Sequence, residues 1–344
     1  MSEKLTVTAE ISTKDRYFTT LPSAILSIAM QTLTPDKLLI FDDGEHKDLR
    51  AEPVYQNLFS LLAAKNIDWS IIYGQRIGQV ANHQKANEIC TTDLIWRNDD
   101  DDAPEPNVLE KLIKHFDDPM VGATSGLVWI PGAAYLSAKV CSGKIEDVWS
   151  KPNIQWSDQK EIIDVEHLNN TFLYRRDIAP SYCMELSPVG FGEESLFSYS
   201  IKKKGYKLIL DPSAKIWHLR SPVGGIRSYR DQQMWEHDSK IAKQKLSEMG
   251  VILSNYKLIC LDSGLGDHFM FKSILPEIKV RYKDCKLQLA VCYPEVFEDD
   301  NVELISIADA MTIESNMDKH NIYRWCIDHN HQGHLIDAMK GCYL

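Results

Sequence analysis

Apolar and polar residues alternate through the first dozen positions, with Leu5, Val7, Ala9 and Ile11 on one side of a period of two, which predicts a strand. The polar stretch Ser12-Thr13-Lys14-Asp15-Arg16 interrupts it. Leu21, Ala24, Ile25, Ile28 and Ala29 then recur at helical spacing, with Pro22 suited to a first helical turn. Gln31-Thr32-Leu33-Thr34-Pro35-Asp36 breaks that helix. A second strand over 37–41 runs into Asp42-Asp43-Gly44. The pattern continues with a helix over 55–65, a strand over 69–73, a helix over 80–90, a strand over 93–97 and a helix over 107–116. Strands alternating with helices at this spacing predict an α/β fold, with a mostly parallel sheet covered by helices on both faces.

Each early strand ends in polar residues: Thr13 and Arg16, then Asp42 and Asp43, then Arg76, then Asn98 followed by Asp99-Asp100-Asp101-Asp102. Parallel strands place their carboxyl ends along one edge, where α/β sheets bind ligands, so these groups are expected to converge on one crevice. Four adjacent carboxylates repel one another unless a cation or water takes up the charge. Their hard oxygens suit Mg2+ or Mn2+, ions that bridge protein carboxylates and substrate phosphates. A solvated acidic turn or a charged cap on the next helix is the plainer reading of the same run. An EF-hand is disfavoured, because Asp99, Asp101 and Ala103 break its ligand spacing and no glycine follows. Arg76 and Lys85 offer positive charge for a diphosphate, and Asp42 or Asp43 can accept hydrogen bonds from a base or ribose.

The 344 residues are enough for two domains, with 44% hydrophobic and 25% charged residues, as in ordinary globular chains. A net charge of -11 argues against a surface built to hold nucleic acid or anionic lipid. Neither a signal peptide nor a membrane-spanning apolar run is evident, and the cysteines (90, 141, 183, 260, 285, 292, 326 and 342) form no C-x-x-C pair. A cytoplasmic protein with reduced thiols is the expectation.

Thr13-Lys14-x-Arg16, Gln31-Thr32, Asp42-Asp43-Gly44, Arg76-x-x-Gly78-x-x-x-Asn82, Asp99-Asp100-Asp101-Asp102 and Pro106-Asn107-x-Leu109 occur in that order. Asn170-Thr171-Phe172-Leu173-Tyr174-Arg175-Arg176, Gly192-Glu193-Glu194-Ser195-Leu196, Lys204-Gly205-Tyr206-Lys207-Leu208 and Asp211-Pro212-x-Ala214-x-Ile216-x-His218 continue the series. The ordered set resembles family 2 glycosyltransferases of the GT-A fold. The resemblance implies an inverting, metal-dependent transfer of a sugar from a nucleotide-sugar donor, a UDP-sugar first among them, to a glycan or other polymer acceptor. Thr13, Arg16, Asp42 or Asp43, Arg76, Lys85, Asp99 and Asp100 would bind donor. Asp99 and Asp101 would form the D-x-D pair, with Asp100 or Asp102 as rival assignments. The divalent cation, Mn2+ or Mg2+, would be held by Asp101, Asp99, Asp102 and His218. Relatives carry Glu-Asp where this chain has Glu193-Glu194, so Glu194 stands for the catalytic base with one extra methylene, or yields the role to Glu193.

The resemblance covers residues 1–225, with a helical connector expected over 226–255 and a small Rossmann-like βαβ unit over 256–344. In that unit Ser263-Gly264-Leu265-Gly266-Asp267 reads as a tight turn that faintly resembles the opening of heptosyltransferase-like GT-B enzymes, and the unit is a candidate for docking, acceptor binding or self-association. Segments 126–138 and 149–156, with Trp129, Pro131, Gly132, Tyr135, Trp149 and Trp156, are candidate sugar-facing stretches, and Arg227 and Arg230 could reach phosphate. His329, His331 and His334 could bind metal, although a polar tail fits them better. Two other readings compete: a nucleotidyltransferase, and a non-catalytic nucleotide-sugar or carbohydrate-binding protein. A nucleic-acid acceptor is disfavoured by the acidity.

Overall fold

The computed structural model describes residues 4–130, 144–150, 160–221, 223–228, 231–311 and 317–344. Pro131, Gly132, Tyr135, Trp156 and Arg230 lie outside the described residues, as does the side chain of Arg227. The chain divides into two compact units, Met1–Ile145 with Trp156–Val251, and Glu146–Gln155 with Ile252–Leu344.

The strands of the first unit are β1 (Val7–Thr13), β2 (Lys37–Asp42), β3 (Asp68–Tyr73), β4 (Leu94–Asp99), β5 (Asp102–Pro104), β6 (Val121–Trp129), β7 (Ile163–Val165), β8 (Phe172–Arg175) and β9 (Lys207–His218). They form one sheet in the order β3-β2-β1-β4-β8-β6-β9-β5, with β7 also paired to β9. The β3-β2-β1-β4 half is parallel; β8 runs antiparallel between β4 and β6. Its helices are α1 (Leu21–Ala29), α2 (Pro53–Ala64), α3 (Gln79–Ile89), α4 (Val108–Ile113), α6 (Glu193–Lys203) and α7 (Gln232–Glu248), while α5 (Ile145–Ser150) falls almost wholly in the second unit.

The two faces of β1 explain the build. Val7, Ala9 and Ile11 enter the apolar core with Leu21, Ile25 and Ile28 of α1. Thr8 and Glu10 point the other way, still buried, and on that side His83 of α3 meets Glu10 at 2.7 Å while Asn82 donates to Ser12 Oγ at 2.8 Å. One face is thus an ordinary core, and the other is a polar seam leading to the strand ends.

The stretch after the aspartate run departs from expectation. Ala103-Pro104 reads as a proline-punctuated lead into a helix, yet residues Asp102–Pro104 form β5, antiparallel to the end of β9. An edge strand tolerates proline because one side of its ladder needs no donor. Gln31 ties this addition down, donating from Nε2 to Glu105 O at 2.9 Å and accepting from Leu109 N at 3.0 Å.

α7 falls within the first unit, its Asp238 fully buried against the 187–191 loop. In the second unit β10 (Tyr256–Leu261), β11 (Lys286–Val291), β12 (Glu303–Ile305) and β13 (Met317–Lys319) form a parallel sheet in the order β12-β11-β10-β13. The helices α8 (Leu265–Arg281), α9 (Ile307–Met311), α10 (Ile322–Asp328) and α11 (Leu335–Tyr343) accompany it. Phe271, Ile274, Leu289, Phe297 and Met339 centre its core. The expected turn over 263–267 is shorter than supposed, since α8 already starts at Leu265. Asp267 folds back to accept from Gly264 N at 3.1 Å. The tail histidines serve local structure: His334 caps α11 by accepting from Ile336 N, and His329 stacks on Trp325 at 4.3 Å. The described cysteines are free thiols. Among the described residues no helix is long and apolar enough to cross a membrane.

Gly126 sits where β9 steps from Asp211 to Lys215 against β6, and a Cβ there would land on the Ala214 carbonyl oxygen. Gly126→Ala is expected to destabilise the first unit by about 1–3 kcal/mol, the usual cost of overpacking a core. Urea unfolding checks this; an unchanged midpoint refutes the packing.

Candidate active site

The ends of β1, β2 and β4 lie side by side, with Thr13 opposite Asp42 and Ser12 opposite Asp99. Beyond them opens a cavity of about 250 Å3. Thr13, Lys14, Arg16, Asp43, Asp99, Asp100, Asp101, Asn170, Glu194 and His218 line it, together with Gly190, Phe191, Gly192 and Trp235. The expected crevice at the carboxyl edge is present.

The aspartates occupy distinct environments. Asp99 ends β4, with one oxygen 3.3 Å from Arg97 Nη2 and the other accepting from Asn170 Nδ2 at 3.4 Å. Burial is the largest single influence and would raise its pKa, but Arg97, His218, His83 and Arg16 together hold it low. Asp100 turns back into the loop after β1, accepting from Thr13 Oγ1 at 2.7 Å and from the Arg16 guanidinium. Burial nevertheless pushes its carboxyl up to about 7, against the pull of Arg16. Asp101 lies 3.0 Å from Arg16 Nη1, and its carbonyl accepts from Leu219 N at 2.7 Å. Asp102 is fully buried in β5 directly across from His218, whose Nδ1 approaches it at 2.7 Å, while Thr171 Oγ1 donates to its other oxygen at 2.7 Å. Burial raises Asp102 to about 6 in opposition to the His218 contact; His218 itself is raised, because Asp102 outweighs the desolvation of its ring.

Asp101, Asp102 and His218 each present a ligand atom within 4.8 Å of the others. Two carboxylates with one imidazole form a donor set that accepts a divalent cation, and the nitrogen favours Mn2+ over Mg2+. Asp99 is outside this trio and faces Arg97 and Asn170 instead.

Opposite, Gly192 takes a left-handed φ of 87° and lets α6 begin with Glu193 and Glu194 aimed at the strand ends. Glu193 is buried and forked onto the guanidinium of Arg97, itself wholly buried, at 2.5 and 3.0 Å. Burial pushes Glu193 up to about 7 despite Arg97. Glu194 remains 24% exposed at its side chain, lines the cavity, accepts from Asn170 N at 3.3 Å and lies 3.7 Å from Arg97 Nη2.

Not every expected residue reaches the cavity. Asp42 turns into the core, accepting from Tyr17 Oη at 2.7 Å and Gly44 N at 2.9 Å; Asp43 instead lines the cavity. The Arg76 side chain is exposed and absent from the lining. What the position contributes is its backbone N–H, which Asp43 accepts at 2.7 Å together with that of Gly78. Lys85 is exposed on α3, 3.2 Å from Glu88. Arg97, Asn170, Trp235 and Asp238 were not singled out as site residues. A lone arginine inside an apolar strand was the available signal for Arg97, whereas nothing local marks Trp235.

The family model described as Glycosyl transferase family 2 matches residues 11–176. No curated protein matches the sequence. A solved structure of GalNAc-T7 with UDP, GalNAc and Mn2+ superposes on 83% of this chain and 59% of that one, at 15% identity and a TM-score of 0.52. TarS from S. aureus superposes on 71% of this chain and 43% of its own, at 14% identity and a TM-score of 0.47. The chain thus spans well under two thirds of either relative. The likeness to GalNAc-T7 is one of fold, and the architecture is of the GT-A type.

Two outcomes follow from the buried Arg97–Glu193 pair. Arg97→Met strands a buried carboxylate and is expected to cost about 3–5 kcal/mol in chemical unfolding, most of which the double variant with Glu193→Leu should restore. Glu193 binds its proton more tightly folded, at about 7, than at its ordinary 4.5. Its stabilising contribution is therefore complete below the lower value and is lost as pH rises towards the upper. Unfolding midpoints measured across that window should fall with pH, and Glu193→Gln should flatten the decline; an equal slope in both proteins contradicts the assignment.

Proposed function

We propose that this chain, whose residues 11–176 carry a domain of glycosyl transferase family 2, moves a sugar from a nucleoside diphosphate donor to an acceptor hydroxyl with inversion at the anomeric carbon. The observation that supports this most is that Glu194 lines the same cavity as Asp99, Asp101 and His218, so a base and an anion-handling edge face one space. UDP-sugars are the donors of choice, since UDP accompanies the GalNAc-T7 structure that shares the fold.

Residues on the β1, β2 and β4 side receive the donor. Thr13 and Asp43 lie where the strand ends meet the nucleoside, and Lys14 adds positive charge to the same wall. Asp101, Asp102 and His218 would hold a divalent cation, Mn2+ for preference, which when bound neutralises charge on the departing diphosphate. Glu194 works from the opposite side. Its carboxylate takes the proton of the acceptor hydroxyl as that oxygen bonds to the anomeric carbon, and the electrons of the breaking bond leave with the diphosphate. Asn170 N and Arg97 fix the carboxylate while it waits. Glu193 is excluded from the base role by its fork onto Arg97, and serves to anchor that guanidinium.

Glu194→Gln is expected to lower transfer and donor hydrolysis about 10²–10⁴-fold, the range for loss of a positioned base, with UDP affinity retained. Unchanged turnover would take the base role away from Glu194. UDP should raise the melting temperature far more with Mn2+ than with a chelator, and His218→Ala should remove that difference. If Mn2+ leaves UDP stabilisation unaltered, the cation has no part in donor binding.

A further inference from the structure

We infer that Phe191 and Trp235 form the acceptor subsite, a wall on which a sugar ring of a neutral glycan stacks beside Glu194. The inference rests on the glycosyltransferase reading and adds the acceptor's chemical class to it.

Both rings line the cavity at the rim next to Glu194, their centroids 5.6 Å apart and tilted by 53°. Phe191 is 40% exposed. The wall is assembled from two segments remote in sequence, and one buried charge fastens them. Asp238, one helical turn beyond Trp235 on α7, is wholly buried and accepts from Ser187 N at 2.7 Å, Ser187 Oγ at 2.9 Å and Phe191 N at 3.0 Å. Three hydrogen bonds on a carboxylate closed off from water fix the Phe191 loop to the helix that bears Trp235. Gly190 and Gly192, both at positive φ, let the backbone turn so that Phe191 and Glu194 both reach the cavity.

The surroundings choose the occupant. A pyranose has an apolar C–H face for the rings and a hydroxyl rim for the Glu194 carboxylate, which suits an aromatic wall beside a polar floor. Glu194 presents a carboxylate to the acceptor hydroxyl, and its like charge disfavours an anionic sugar there, whereas the cationic Lys14 and Arg16 line the cavity with the strand-end aspartates. The proposed reaction assigns the nucleoside to Thr13 and Asp43 instead of to these rings.

The test uses the full chain with Mn2+, UDP-glucose, UDP-galactose and their N-acetylhexosamine counterparts as donors, and the methyl glycosides of the same four sugars as acceptors. Each donor partitions between water and glycoside, and the ratio is read within each variant. Trp235→Ala and Asp238→Asn should each lower the transfer-to-hydrolysis ratio about tenfold, equivalent to 1.4 kcal/mol, through a higher glycoside KM. Trp235→Phe should restore most of it, and serves if the alanine variant fails to fold. A ratio that stays at the wild-type value overturns the inference. So does transfer to a threonine-containing peptide with none to any glycoside, or a tenfold loss of UDP affinity in Trp235→Ala at constant ratio, which would put the nucleobase on the wall. If the wild-type chain releases UDP from no donor, the glycosyltransferase reading itself falls, and that result is separate from all of these.

Discussion

One guanidinium, shut away from water in the fourth strand, disciplines the rest of the site. Arg97 meets Glu193 through two contacts, reaches Asp99 on its own strand and comes near Glu194. A buried charge is tolerable only when it is paired and hydrogen-bonded, so this arginine fixes where the first turn of α6 must settle. The demand runs in both directions: without α6 the arginine has no counter-charge, and without the arginine α6 would bury a carboxylate for nothing. Glu194 and Asp99 share a cavity with one cation, Arg97, close to both.

Around that constraint the site has two characters. On the strand-end side, carboxylates are already engaged: Asp100 with Thr13 and Arg16, Asp43 with the backbone of Arg76 and Gly78. These bonds shape loops. On the α6 side Glu194, Phe191 and Trp235 line the cavity, Glu194 accepting from Asn170 N and the Phe191 loop tied to α7 by Asp238. In the proposed reaction the first side receives the diphosphate and the second the acceptor hydroxyl.

The parallel half of the fold was plain in the sequence because β1 to β4 and their helices carry clean periodicity, each strand ending in chemistry. Asp42 or Asp43, Asp99 and Asp101 were accordingly expected at that edge, Glu194 and His218 only through the family resemblance, and Asp43, Asp99, Asp101, Glu194 and His218 all line the cavity. β5 was hidden, since Ala103-Pro104 carries no strand signal and pairs only because β9 arrives beside it. Arg76 and Asp42 misled for a related reason. Residue type announces charge, but direction depends on a turn: Arg76 sits at a φ of 61° and offers its N–H, while Asp42 finds Tyr17 in the core. Trp235 and Asp238 could not be foreseen either, because their partners lie nearly fifty residues upstream.

The cross-strand pairing of Asp102 with His218 has a consequence for the birth of the protein. Those two side chains are 116 positions apart in the chain, so a nascent polypeptide carries the whole acidic run long before it owns the imidazole. Until β9 docks, Asp100 and Asp101 can already meet Thr13 and Arg16, but Asp102 has no imidazole beside it. Once the strand is home, an ion clamped there also closes a very long loop, and loops of that length lose the most freedom when they are shut. The cation would then be a late rivet of the architecture as well as a reagent.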